Sequence, residues 1–199
     1  MRYKTFKDGA QIHTWFPKSV YVMKEFKSAD TCADIITRLG DLDINLKREY
    51  FQVGTSHSVD ILHTHNSFKG LFDDIMKHCK AYASTYGYDD KHLEQLEFGD
   101  TWFNISKPGD FLYKHVHPNS LLSGAFYVKT NKDDHITFYK EDDMSTPTTE
   151  DTELSIGNYS YPCETGELII FKSNLNHSTN IQQGEEKIVI SFNCYLKIQ

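Results

Sequence analysis

The sequence predicts an α+β fold: a double-stranded β-helix (jelly-roll) core in the C-terminal half, backed by helices from the N-terminal half. Three observations carry that expectation. Before about residue 97, apolar residues recur at steps of three and four, most clearly from Phe68 to Tyr86. Beyond it, short β-branched and aromatic runs alternate with turn signals. Phe and Tyr lead an aromatic share of 14%, which suits a β-rich core.

Taken in order, the run VYVM (20–23) reads as a short extended segment. Ser28 or Asp30 can cap a helix that carries Cys32, Ile35, Ile36 and Leu39 on one face and ends at Gly40. Residues 41–66 follow no single period. A longer helix spans Phe68 to Tyr86, stopped by Gly87, and its stripe should pack on a sheet. Strands are expected near Thr101–Ile105, Phe111–His117, Ser123–Lys129, His135–Tyr139, Glu167–Phe171 and Lys187–Leu196. Residues 140–165, with Pro147, Gly157 and Pro162, read as a long loop with room for one strand. The whole chain, 1–199, is expected to be one domain, with 1–97 as mainly helical support and 98–199 as the jelly-roll core.

At 199 residues the chain can bury a core without disulfides. No apolar run reaches membrane-spanning length, and the start, MRYKTFKDGAQ, is too polar for a secretory signal. Cys32, Cys79, Cys163 and Cys194 show no CxxC spacing, so reduced thiols and a cytoplasmic location are expected. The net charge of −7 is concentrated in one place. Residues 133–153 hold Asp133, Asp134, Glu141, Asp142, Asp143, Glu150, Asp151 and Glu153 against Lys140 alone. The remainder is neutral and carries no basic stripe, which argues against nucleic-acid binding. The acidic segment reads as a solvated loop, with a lip attracting a basic substrate as the second reading.

The chemistry centres on KPGDFLYKHVHPNSLLSGAFYV (107–128). In an extended strand alternate side chains share a face, so His115 and His117 project together while Val116 points away. Two imidazoles on one face make part of a metal site, and His177, in FKSNLNHSTN, is the best third ligand. An HxH pair alone is weak evidence. His63 and His65, in LHTHNS before the long helix, are read as surface or capping residues. On the final strand Lys187, Val189, Ser191 and Asn193 share one face, with Ile188, Ile190 and Phe192 on the other. Either the lysine faces out, or it meets an acid inside the barrel; periodicity admits both. Trp102 and Asn104 alternate toward one face, as core or as pocket lining. Asp100 and Asp110 are read as turn residues. No GxSxG elbow, P-loop or GxGxxG stretch occurs.

HVHPNSLLSGAFYV, followed by TGELIIFKSNLNH and EEKIVISFN, resembles the Fe(II)/2-oxoglutarate-dependent oxygenases. The nearest likeness is to the prolyl-hydroxylase-like branch and to uncharacterised oxygenases of bacteria and phages. WFPKSVYV and GDTWFNISKPGDF extend the resemblance over most of the chain. In that family a His-x-Asp pair and a distal His hold iron on one face, leaving positions for 2-oxoglutarate and dioxygen. His115 matches the first ligand and His177 the distal one. Lys187 matches the basic residue that grips the cosubstrate's C5 carboxylate, as a point charge rather than an arginine fork. Tyr127 matches a residue that hydrogen-bonds the cosubstrate, and Ser191 one that assists; Asn104 is placed beside them.

The departure is His117, which stands where the family has Asp. Three neutral imidazoles can hold Fe(II) facially, with one negative charge fewer. Two other arrangements fit the same residues: His117 paired with Asn119, or His117 outside the ligand set with water in its place. The resemblance implies a dioxygenase that hydroxylates a C–H bond of a peptidyl (for example prolyl) or small-molecule substrate, releasing succinate and CO2. Its expected partners are 2-oxoglutarate, dioxygen and that substrate, with no nucleic acid and no membrane. Two alternatives stay open. One is a cupin-like three-histidine metalloprotein that does not use 2-oxoglutarate, suggested by Gly109, HxH and Gly124 but lacking the expected glutamate. The other is an inactive jelly-roll binding module.

Overall fold

The computed structural model describes residues 2–5, 7, 11–14, 18–49, 53–57, 61–140, 150, 152 and 155–197. The chain opens with a two-stranded hairpin, β1 (Arg2–Thr5) and β2 (Gln11–Thr14), followed by β3 (Val20–Met23). Helix α1 (Ala29–Gly40) is capped by Ser28, whose side chain accepts from the Thr31 amide. Its Cys32, Ile35 and Leu39 are buried, and Arg38 pairs with Asp34 one turn back at 2.6 Å. Short strands β4 (Lys47–Glu49) and β5 (Val53–Thr55) and a 3₁₀ turn at Leu62–Thr64 occupy the region that lacked a period. Helix α2 (Lys69–Ser84) buries Leu71, Phe72, Ile75, Cys79, Tyr82 and Ala83; Gly87, at φ 84, turns the chain toward α3 (Asp90–Glu94).

The barrel strands then follow: β6 (Leu96–Ser106), β7 (Leu122–Lys129), β8 (His135–Tyr139), β9 (Asn158–Pro162), β10 (Leu168–Lys172), β11 (His177–Thr179) and β12 (Lys187–Leu196). They form a seven-stranded sheet, β3-β10-β7-β12-β6-β5-β4, facing a three-stranded sheet, β11-β8-β9. All the pairings are antiparallel. This is the expected jelly-roll core with helical support, although the N-terminal part also supplies β3, β4 and β5 to the large sheet.

The large sheet is buried on both faces, which explains its nearly continuous apolar strands. Phe126, Val128, Leu168, Ile170, Ile188, Ile190 and Phe192 meet Ile35, Phe68, Phe72, Ile75 and Cys79 on the helix side. Ala125, Tyr127, Ile169 and Phe171 face inward against Ile136, Phe138, Cys163 and Leu175. Gly124 is required by this packing: a Cβ there would stand 2.2 Å from Phe192 Cζ and 2.7 Å from the Ile169 carbonyl oxygen.

Two sequence expectations change. Residues 111–117 are not a continuous strand; His115 alone forms a bridge, opposite His177. The ladder breaks because the Leu112 amide bonds the Thr179 side chain instead of a backbone carbonyl. Asp134 is not a solvated loop residue but is 2% exposed. The expected character of Glu141, Asp142, Asp143, Asp151 and Glu153 falls outside the described residues. Among the described residues, no helix is long and apolar enough to cross a membrane.

Candidate metal centre

His115 and His177 face each other as a hydrogen-bonded pair: each amide donates to the other's carbonyl, at 2.9 and 3.0 Å. Two residues on, the His117 amide donates to the Ser173 carbonyl at 2.9 Å. These backbone bonds bring three imidazoles from distant segments together. One ring nitrogen from each lies within 4.8 Å of the others. The Nε2 atoms of His117 and His177 are 3.2 Å apart, close to the spacing of about 3 Å expected for nitrogens sharing a metal at about 2.1 Å. Asn119 is exposed in a left-handed turn at φ 65 and is not in the cluster.

The donor chemistry fits a divalent metal. His115 Nδ1 lies 2.6 Å from the Tyr113 carbonyl, and His177 Nδ1 lies 2.9 Å from the Leu175 carbonyl. A carbonyl only accepts, so both Nδ1 atoms carry the proton and both Nε2 atoms present lone pairs. Burial holds the rings neutral. It lowers His115 below its ordinary value, pushes His117 down to about 4 and pushes His177 down to about 3, with mutual repulsion among the rings adding to the shift. Neutral imidazoles are the ligating form.

The triad borders a cavity of about 340 Å³ between the two sheets. Lys187, Tyr127, Ile136, Thr179, Trp102, Asn104, Ser191 and Val116 are among the residues that line it. The orientation of β12 is thereby resolved. Its even-numbered residues Ile188, Ile190, Phe192 and Cys194 pack toward the helices, while Lys187, Val189, Ser191 and Asn193 face the cavity. Lys187 is 3% exposed and is the one ammonium among the described lining residues. Its Nζ lies 3.6 Å from Asp134 Oδ1. Burial lowers the lysine's pKa, and Asp134 opposes that shift. Tyr127 is also buried, which raises its phenol well above the ordinary value. Asn104 Nδ2 donates to Ser191 Oγ at 3.4 Å.

Other side chains follow their expected places only in part. Asp100 lies within β6 and lines the cavity rather than a turn, because β6 begins earlier than its apolar run. Asp110 is a turn residue, accepting from the Lys107 amide at 2.8 Å, and is buried. His63 is neither a cap nor fully exposed: its ring packs on Phe72 and Phe98, with Nδ1 3.0 Å from Thr101 Oγ1. His65 is half-buried. The sequence reading missed His57, which lines the cavity with its ring 4.6 Å from that of Trp102. No local signal marked it, because it faces Trp102 only once β5 has paired with the distant β6.

Residues 100–193 match the family model described as "Putative 2OG-Fe(II) oxygenase". A sequence search of curated proteins found no match. Among solved structures, a Pseudomonas putida prolyl-4-hydroxylase aligns with a TM-score of 0.61 at 14% identity, covering 91% of this chain and 94% of that one. The viral collagen prolyl hydroxylase of Paramecium Bursaria Chlorella virus-1, solved with 2-oxoglutarate, gives 0.57 at 16% identity, covering 88% and 94%. HygX from Streptomyces hygroscopicus with iron bound gives 0.58 at 10%, covering 91% and 83%. At these identities the likeness shows a shared fold. The matched segment, residues 100–193, carries His115, His117 and His177, so the barrel half of this chain is similar to the 2-oxoglutarate-dependent Fe(II) oxygenases, enzymes whose metal is Fe(II) and whose cosubstrate is 2-oxoglutarate.

Proposed function

We propose that this chain is a dioxygenase that holds Fe(II) through His115, His117 and His177 and hydroxylates a C–H bond of a peptidyl, for example prolyl, or small-molecule substrate. The observation that carries this reading is the convergence of three neutral imidazoles on a cavity whose one described ammonium is Lys187. Iron and 2-oxoglutarate, when bound, supply the oxidising power: dioxygen is reduced, 2-oxoglutarate becomes succinate and CO2, and one oxygen atom enters the substrate. In this reading the protein's residues position and exclude. The Tyr113 and Leu175 carbonyls fix two imidazoles in the tautomer that presents Nε2. Lys187 receives the C5 carboxylate, Tyr127 donates its buried hydroxyl to the cosubstrate, and Ser191 and Asn104 stand beside them. Trp102 and His57 wall the remaining space and exclude water from it. Residues 98–199 act as the catalytic core, 1–97 as its support within one domain. The cytoplasm suits four buried thiols and a ferrous centre.

The Lys187–Asp134 contact favours a second reading. A lysine already paired within the chain is consistent with a cupin-like metalloprotein that does not use 2-oxoglutarate. Anaerobic Fe(II) reconstitution separates the two. The first reading expects a weak visible charge-transfer band on adding 2-oxoglutarate, lost in Lys187→Ala, and substrate-free release of succinate. Stoichiometric metal without that band would support the second reading, and failure to bind metal would leave only a binding module.

A further inference from the structure

The Asp134 carboxylate is held in place without help from the lysine it faces. Its Oδ2 accepts from the Asn131 backbone amide at 2.7 Å and from Asn131 Nδ2 at 3.2 Å. Asn131 Nδ2 also donates to the Glu186 carbonyl at 3.0 Å, which ties the turn to the residue preceding Lys187. Gly184 leaves room for this clamp, since a Cβ there would lie 2.2 Å from Asn131 Cγ. The Asp134 carbonyl accepts from the Cys163 amide at 2.9 Å. Only Oδ1 is turned toward Lys187, at 3.6 Å, an ion pair looser than a good hydrogen bond. The other nearby buried carboxylate, Glu167, is engaged by the Tyr161 hydroxyl at 2.6 Å and the Glu164 amide at 3.2 Å.

Lys187 lines the cavity and Asp134 does not, so the ammonium stands between a fixed carboxylate behind it and the open space in front. An incoming carboxylate has to share that ammonium with Asp134. Two anions facing one cation at low dielectric repel each other, so the second binds more weakly than it would to the lysine alone. We propose that Asp134 sets the affinity of the site for 2-oxoglutarate, holding it below what Lys187 by itself would give, so that occupancy follows the 2-oxoglutarate concentration. This rests on the reading that Lys187 receives the C5 carboxylate, and it adds a regulatory role for a residue that touches neither metal nor cosubstrate.

Calorimetry on metal-free protein with glutarate, and on Zn(II)-loaded protein with 2-oxoglutarate, tests the proposal without turnover. Glutarate cannot chelate through a keto acid and reports the lysine end alone. Asp134→Asn should bind both ligands about tenfold tighter, equivalent to about 1.4 kcal/mol, with Zn(II) affinity unchanged. Lys187→Ala should lose glutarate binding. Wild-type protein offers a measurement that needs no variant at position 134. Because its lysine is already partly compensated, it should discriminate between 2-oxoglutarate and the 5-methyl ester by less than about tenfold. Unchanged or weaker binding in Asp134→Asn, with Lys187→Ala still defective, would overturn the proposal and leave the lysine's role intact. A wild-type preference for the free acid over the ester of a hundredfold or more would also overturn it. If Lys187→Ala binds 2-oxoglutarate normally, the lysine reading itself fails and takes this one with it.

Discussion

Metal capture by this triad should be nearly indifferent to mild acid. Three ordinary imidazoles with pKa values near 6.5 would each lose about tenfold in neutral fraction between pH 7.5 and 5.5, and metal affinity would fall about a thousandfold. Here burial has moved His117 to about 4 and His177 to about 3, so both stay neutral throughout that window. His115 is lowered too, so its share of the loss stays below the roughly tenfold of an ordinary imidazole. Zn(II) or Co(II) dissociation constants measured at pH 5.5, 6.5 and 7.5 check this directly. A loss of a hundredfold or more would refute the claim that the fold delivers its ligands already deprotonated. The same shifts act on folding. The unfolded rings titrate near 6.5 and the folded ones lower, so in this window the unfolded chain binds more protons. The stability gained from neutral rings is present above pH 6.5 and is lost as pH falls toward 4 and then 3. Metal-free protein should therefore melt at lower temperature across that range, and His117→Asn should flatten the decline.

Restoring a carboxylate with His117→Asp should keep the metal and raise affinity for the oxygen-preferring Mn(II) by about tenfold, read by calorimetry; an unchanged affinity and metal preference would mean that position 117 does not ligate. Gly124→Ala should destabilise by about 2 kcal/mol or more in urea unfolding, because one of the atoms in its way, the Ile169 carbonyl oxygen, belongs to the backbone and cannot swing aside. Phe126→Ala, at a fully buried position between sheet and helices, should lower stability by about 3–5 kcal/mol while leaving Zn(II) affinity unchanged.

The sequence made the centre visible where chemistry and period coincide. His115 and His117 alternate on a short extended run, His177 stood out as the best third imidazole, and the family resemblance singled out Lys187 at a distance. The helices were equally legible, since the Ser28 cap and the stripe from Phe68 onward are local signals. What stayed hidden depends on partners far along the chain. The direction of Lys187 could not be read from β12, because that strand is buried on both faces and apolar residues no longer mark the inside. Asp134 looked like one more acid in an acidic stretch; it is clamped by Asn131, whose side-chain amide is in turn held by the Glu186 carbonyl, more than fifty positions away. His57 needed β5 to find β6 before it could face Trp102.

The place of β12 has a consequence for how the molecule is made. It sits in the middle of the seven-stranded sheet, pairing Lys187 with Ser106 on one side and Ser191 with Ala125 on the other. Until those residues leave the ribosome, β6 and β7 both present bare edges, and the lysine end of the cavity does not exist. Such long-range closure favours slow folding and leaves an interval in which the growing chain can pair with its neighbours. A nascent chain stalled before residue 187 should thus be sticky and unable to respond to 2-oxoglutarate, even though all three histidines have already been synthesised.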